Sequence, residues 1–368
     1  MNIKPTIQGK NSNYMPKNTN FVRVLIDRIA AQLNWLMLFY IALFSACQNK
    51  QPAPAVSFYY WKTHFSLSQY EQQVLQQNKA TTLWVRYFDV DIAPQDSVAK
   101  PISVIRFDSL PVKQHIVPVV YLKNRVFEQL DSSRIEQLSQ QVLGLVSQIS
   151  QHKSLTPTQI QFDCDWTDKT QHKFFYFLQC YKAQSKQLIS ATIRLHQVKY
   201  SDRTGIPPVD YGVLMFYNMG SIDTSHNNSI YEKQNAQKYI TSLQNYPLQL
   251  DVALPIFSWG IQIREHKVVQ LLNKMYAQDF ENDTHFTKTT PNRFSTQQAN
   301  FKSGYYFLVG DEVKIENISP ANLTEMANMI QLNSRKPINN LIFYDLDSLN
   351  IANYENTTFS QVATLFAR

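Results

Sequence analysis

Apolar and polar positions along the chain follow two alternating rhythms. Short runs rich in β-branched and aromatic residues recur eight times, at Val56–Trp61 (VSFYYW), Thr82–Val90, His115–Leu122, Gln159–Trp166, Leu188–Leu195, Gly212–Tyr217, Gln249–Phe257 and Asn340–Leu346. Their enrichment and length predict strands. Between them, Leu67–Gln77, Arg134–Ile149, Gln171–Ala183, Asn235–Gln244, Leu323–Leu332 and Phe359–Ala367 carry apolar residues three and four apart. That spacing predicts amphipathic helices, with Ser133 before the second and Asp168 or Thr170 before the third as N-caps.

Strands that are almost continuously apolar and alternate with helices imply a parallel sheet covered on both faces. Eight such units predict an α/β fold, a (β/α)8 TIM-type barrel. The rival, an open doubly wound sheet, normally has fewer strands and a Gly-rich first turn that this chain lacks. The stretch from about Ala277 to Gly310 is too long for a simple connector. It reads as an insertion between strands seven and eight, capped by a hairpin over Gly304–Glu316. The barrel domain spans 55–368, with no second domain and no repeat beyond the strand–helix period.

The first 54 residues break both rhythms. Leu33–Ala46 (LNWLMLFYIALFSA) is apolar over 14 residues, follows Arg23 and Arg28, and precedes Cys47. A bilayer-spanning helix needs roughly 20 apolar residues, whereas a secretory core runs about 7–15 before small residues such as Ser45 and Ala46. An uncleaved signal anchor and a buried helix are the alternatives. Residues 48–54, polar and proline-punctuated, read as a tether.

Composition narrows the function. With 44% hydrophobic, 13% aromatic and 17% charged residues in 368, the chain can bury a large core. Eight glycines argue against Gly-rich nucleotide loops. Of the net charge of +7, +4 lies before Cys47, and no run of Lys or Arg follows, so no nucleic-acid partner is expected. Cys164 and Cys180 can form a bridge or stand as buried thiols. No metal-ligand spacing and no cofactor motif is present.

In a barrel, chemistry gathers where the strand-to-helix loops converge. The predicted strand ends bring Lys62 and His64 from the first strand; Arg86, Asp89 and Asp91 from the second; Asp163, Asp165 and Asp168 from the fourth; Arg194 and His196 from the fifth; Tyr217 and Asn218 from the sixth; Ser258 and Trp259 from the seventh; and Asp345 and Asp347 from the eighth. Asp163 and Asp165, two apart, would face one side of a strand. Two close inward acids cannot both ionise freely, so one would hold a raised pKa. The competing reading is a structural salt bridge to Arg86 or Arg194. Trp61, Trp84, Trp259 and Tyr217 could stack on sugar rings or serve as ordinary core.

Ile160–Lys182 (IQFDCDWTDKTQHKFFYFLQCYK) resembles the fourth strand and helix of family-18 glycoside hydrolases and chitinase-like proteins, whose motif is D-x-x-D-x-D-x-E. Asp163 and Asp165 match the second and third acids; Ile160 replaces the first, and Thr167 stands at the catalytic glutamate. Met215 and Tyr217 match the family's sixth-strand Met-x-Tyr-Asp, with Asn218 in place of Asp. Ala253–Gly260 and Leu341–Ser348 are similar to its seventh and eighth strands. In that family the glutamate protonates the glycosidic oxygen while the preceding aspartate supports the substrate's acetamido group. Thr167 cannot donate that proton. The segment Phe44-Ser45-Ala46-Cys47 resembles a bacterial lipobox, which implies lipid attachment at Cys47. The chain also resembles uncharacterised bacterial lipoproteins with glycosidase-like barrels.

The resulting expectation is a cell-envelope lipoprotein, on a periplasmic or outer-membrane face, that handles a glycan or cell-wall oligosaccharide. It is either a glycoside hydrolase with a displaced acid or a non-catalytic glycan-binding or scaffold protein. Asp163, Asp165, Tyr217, Asp345 and Asp91 are the candidate catalytic residues, with Asp168 and Glu265 as further acids. Arg86, Arg194, His196, Asn218, Trp259 and Trp61 are the candidate binding residues.

Overall fold

The structure, a computed structural model, describes residues 52–93, 95, 96, 98–108 and 112–367, together with 28, 29 and 32. The apolar segment from Leu33 and the lipid-attachment candidate Cys47 lie outside the described residues. Among those described, no helix is long and apolar enough to cross a membrane.

Eight parallel strands close into a barrel: β1 (Ala55–Tyr60), β2 (Thr82–Asp91), β3 (His115–Leu122), β4 (Gln159–Asp163), β5 (Leu188–Arg194), β6 (Tyr211–Met215), β7 (Leu250–Pro255) and β8 (Asn340–Tyr344). Each pairs with its sequence neighbours, and β1 pairs with both β2 and β8, from Ser57 opposite Thr82 to Val56 opposite Leu341. Closure removes every barrel edge. All eight predicted strands are present, within a few residues of their expected ends. Chain alternation explains their apolarity: Phe58 faces outward onto Phe359 (5.1 Å between ring centroids), while Tyr59 faces inward onto Trp84 (6.1 Å).

The helices form where expected. Helix Gln171–Gln184 buries Phe174, Phe177, Leu178 and Tyr181, a stripe at three- and four-residue spacing. Helix Gln69–Gln77 starts with a capping box in which Ser68 accepts from the Glu71 amide and Glu71 accepts from the Ser68 amide. The cap of helix Ser132–His152 is Asp131, whose carboxylate accepts from the Arg134 amide (3.0 Å); Ser133, the expected cap, instead donates to Asp131 (2.6 Å). Cys164 and Cys180 are both free thiols, so the disulfide alternative falls.

The insertion differs from expectation in extent and form. It begins at Trp259 and builds a five-stranded antiparallel sheet in the order Lys267–Asn273, Trp259–Arg264, Glu312–Glu316, Arg293–Thr296, Phe286–Thr290. The anticipated hairpin over Gly304–Glu316 is absent: Tyr305–Phe307 pairs back onto Asn300–Lys302, and Glu312–Glu316 joins the sheet. The first hairpin turns at Glu265 and His266, with φ of 47° and 60°. Such left-handed pairs usually announce themselves as Asn-Gly or Asp-Gly, and here they do not. A separate core forms around Phe280, with Phe286, Phe294 and Phe307 at 4.9, 5.3 and 6.3 Å.

Phe162, fully buried between Phe177 (5.1 Å) and Tyr181 (4.8 Å), couples β4 to its helix. Phe162→Ala should cost about 3–5 kcal/mol through lost burial and the cavity left behind, read as a lower denaturation midpoint in urea. A loss below about 1 kcal/mol would show that this contact does not hold the strand against its helix.

Candidate functional site at the barrel mouth

The C-terminal ends of β4, β5 and β6 bring Asp163, Asp165, Arg194, His196, Tyr217 and Asn218 together, as anticipated. β4 ends at Asp163, so Asp165 lies two residues beyond the strand rather than on it. The two acids therefore live differently. Asp163 is 5% exposed and accepts from the Thr192 hydroxyl (2.7 Å). The Asp165 side chain is half exposed and accepts from Arg194 Nε (2.7 Å). Burial pushes the Asp163 carboxyl up to about 6; Arg194 opposes that shift and the Asp165 charge adds to it. Desolvation, rather than repulsion between the paired acids, is the larger cause.

Tyr217 is buried and its ring stacks on Tyr344 (5.6 Å, 22°), while its hydroxyl has no hydrogen-bond partner. Burial drives its pKa well above the ordinary value, so it is a neutral donor at any physiological pH. Asn218, next along, is exposed and has φ of 55°, a conformation asparagine accepts more readily than most residues. Asp165, Arg194, Leu195, His196, Tyr217, Asn218, Met219 and Tyr239 line an open cleft of about 400 Å³. His196, exposed on this rim, has its pKa lowered by desolvation and by Arg194.

An aromatic wall adjoins the cleft through Tyr344. Its ring meets Trp61 (5.3 Å), Tyr59 (5.6 Å) and Phe257 (5.8 Å), and Phe257 leads to Trp259 (5.3 Å). Trp61 and Trp259 are half-buried, with Trp259 Nε1 donating to Glu316 (2.8 Å). Trp84 is 1% exposed and belongs to the core, which removes it from any sugar platform. Tyr344 was not singled out from sequence. It sits inside an ordinary strand pattern, and nothing local says that its ring reaches the axis.

The remaining charged candidates are committed to partners. Arg86 binds Asp89 on its own strand through Nε (2.6 Å) and lies over the Trp61 ring (5.6 Å). Residues three apart face opposite sides of a regular strand, but β2 has a bulge between Arg86 and Phe88 that puts both on one side. Asp91 accepts from Lys123 (2.6 Å) and from Arg125 (2.5 Å); the Arg125 hydrogen bonds, then Lys123, hold it far below the carboxylate range. A carboxyl so held keeps no proton to donate, and the expected role of Asp91 as an acid fails on that ground. Asp168 pairs with Arg203 (3.0 Å), and Glu265 occupies the insertion's hairpin turn.

Asp345 is 7% exposed and accepts from Asn350 Nδ2 (2.6 Å); burial lifts it to about 6, with Lys274 opposing and Asp347 adding. Asp347 takes Lys274 (2.6 Å) and Lys62 (3.3 Å), and Lys62 also reaches Glu71 (2.8 Å). Among the described residues no cluster of His, Cys, Asp and Glu could hold a metal ion.

No protein-family model matches the chain. No curated protein matches it either. Solved structures do. A mutant GH18 chitinase from Cycas revoluta in complex with (GlcNAc)4 superposes with a TM-score of 0.53 at 12% identity, covering 84% of this chain and 98% of that one. The immunomodulatory active chitinase TsES1 from Trichuris suis gives 0.52 at 10%, covering 85% and 98%. The Bacillus cereus spore cortex-lytic enzyme SleL gives 0.51 at 11%, covering 86% and 75%. At these identities the likeness establishes a GH18-like (β/α)8 barrel fold.

The two raised carboxyls set a pH dependence. Below about pH 4 folded and unfolded chains both keep these protons. Between about 4 and 6 the unfolded chain releases them while the folded chain retains them, so stability falls as pH rises. Asp163→Asn should remove its share, gaining roughly 2–3 kcal/mol relative to the parent between pH 4 and 7, at about 1.4 kcal/mol per unit. Urea midpoints of both proteins across that range check it; a pH-independent difference would place the Asp163 pKa near its ordinary value.

Proposed function

We propose that the mouth binds an N-acetylhexosamine oligosaccharide without cleaving it. One observation carries this reading: the acid that would support an acetamido group, Asp165, is tied to Arg194 (2.7 Å), and Thr167 occupies the proton donor's position. Neither an ion-paired carboxylate nor a threonine hydroxyl serves as a general acid. The aromatic wall from Trp61 through Tyr344 to Trp259 suits the apolar faces of sugar rings, and the oligosaccharide in the Cycas revoluta structure supports the ligand class. The lipobox-like segment ending at Cys47 supports a lipid-anchored protein of the cell envelope.

Calorimetric titration with chitotetraose should give saturable binding, and incubation should release no reducing ends. Trp61→Ala should weaken binding about fivefold, since an aromatic face contributes on the order of 1 kcal/mol. Absence of binding overturns the proposal. A hydrolytic reading is favoured by one fact, the two carboxyls at about 6; reducing ends released by the parent but not by Asp163→Asn or Asp345→Asn would establish it instead. For the anchor, Cys47→Ser should move the protein from the membrane to the soluble fraction of expressing cells.

A further inference from the structure

The cleft between the ends of β5 and β6 has its charges unevenly matched. Its single lining carboxylate, Asp165, is already engaged by Arg194. The buried Tyr217 hydroxyl lacks a partner and, neutral at physiological pH, offers a proton. Arg194 keeps further N–H groups beyond the Nε bonded to Asp165, and His196 sits on the rim. Helix Leu195–Lys199 places Lys199 one turn beyond His196, on the same face. Lys199 Nζ lies 5.0 Å from the centre of the Tyr239 ring, which lines the cleft, and makes no ion pair among the described residues. Asp168, the further acid that acts on His196, is paired with Arg203. A cleft whose lining carboxylate is already paired with Arg194, with a cation that has no ion-pair partner among the described residues beside it, is complementary to a ligand that brings negative charge.

The geometry points to a hexosamine bearing an ionised carboxyl group as the unit held in this cleft, with Tyr217 and Arg194 as its inner donors and Lys199 as its outer cation. This rests on the saccharide-binding reading and names which saccharide the site selects. A carboxylated ring fits the roughly 400 Å³ available and the apolar wall still takes the neutral rings on either side. The Asp165–Arg194 pair then has a second use, since it fixes the guanidinium with its remaining N–H groups turned to the ligand.

Three ligands separate the two proposals: chitotetraose, a tetrasaccharide alternating N-acetylglucosamine with N-acetylmuramic acid, and the carboxamide of the second, which keeps its bulk and loses its charge. Calorimetry at 50 mM and 500 mM NaCl should show the carboxylate ligand binding about three- to fivefold tighter than its amide at low salt, as one partly exposed charge contact supplies. That preference should shrink at high salt, where screening shortens to a few ångströms. Lys199→Gln, which keeps most of the stem over Tyr239, should abolish the preference while leaving chitotetraose affinity within about twofold. Equal affinity for acid and amide, or a preference untouched by Lys199→Gln, overturns this inference and leaves the saccharide reading standing. No binding of any of the three overturns both.

Discussion

Arg194 governs the mouth. Its guanidinium is bonded to Asp165 and lies close enough to Asp163 to pull that carboxyl's pKa down against the penalty of burial. Without that cation the desolvated Asp163 carboxyl would rise further, because Arg194 is the largest influence opposing the penalty of burial. With it, the half-exposed acid is paired while the buried one is held at about 6. The same bond occupies Asp165 Oδ1, and the neighbouring Tyr217 hydroxyl has no hydrogen-bond partner. Chemistry at this site is thus decided by a residue on the neighbouring strand, β5, rather than by the acidic motif itself.

The barrel and its insertion are joined by polar ties around that centre. Glu316, buried at the root of the insertion, accepts from Trp259 and Ser229 and pairs with Lys314 (2.7 Å). Arg293 donates to the carbonyls of Thr224 and Ser225 in the loop after β6. On the far side Lys274 reaches Asp347 and the Tyr276 hydroxyl reaches Asn350 (2.7 Å). These contacts fix the insertion against the loops that follow β6 and β8, so the aromatic wall is held from both ends. A buried charge such as Glu316 is costly unless it is paired; here Lys314 brings the opposite charge to Oε1 while Trp259 and Ser229 donate to Oε2.

The interior of the barrel is more polar than branched aliphatic layers would make it. Tyr59 donates to Gln161 (2.7 Å), Tyr211 to Gln159 (2.6 Å) and Thr192 to Asp163. These pairs link β1 to β4, β4 to β6 and β4 to β5. They fix β4, and through it the height of Asp163 beneath the opening.

Amino-acid order alone determined the eight strands, the six principal helices and the barrel, because period-two and period-3.6 patterns are local and survive without knowledge of contacts. It also identified the acids of β4 and the partners on β5 and β6, since all of them sit at strand ends. Three things needed the folded chain. The insertion sheet was hidden because its strands are short and half-exposed, and its first turn uses Glu265 and His266 where glycine or asparagine would have signalled it. The pairing of Arg86 with Asp89 depends on a bulge that shifts one residue out of alternation. The division of labour between Asp163 and Asp165 depends on where β4 stops and on how deep each carboxyl lies. Depth, bulges and the meetings of Tyr344 with Tyr217 and of Arg194 with Asp165 are properties of closure, which brings residues far apart in sequence to within a few ångströms; no window along the chain contains them.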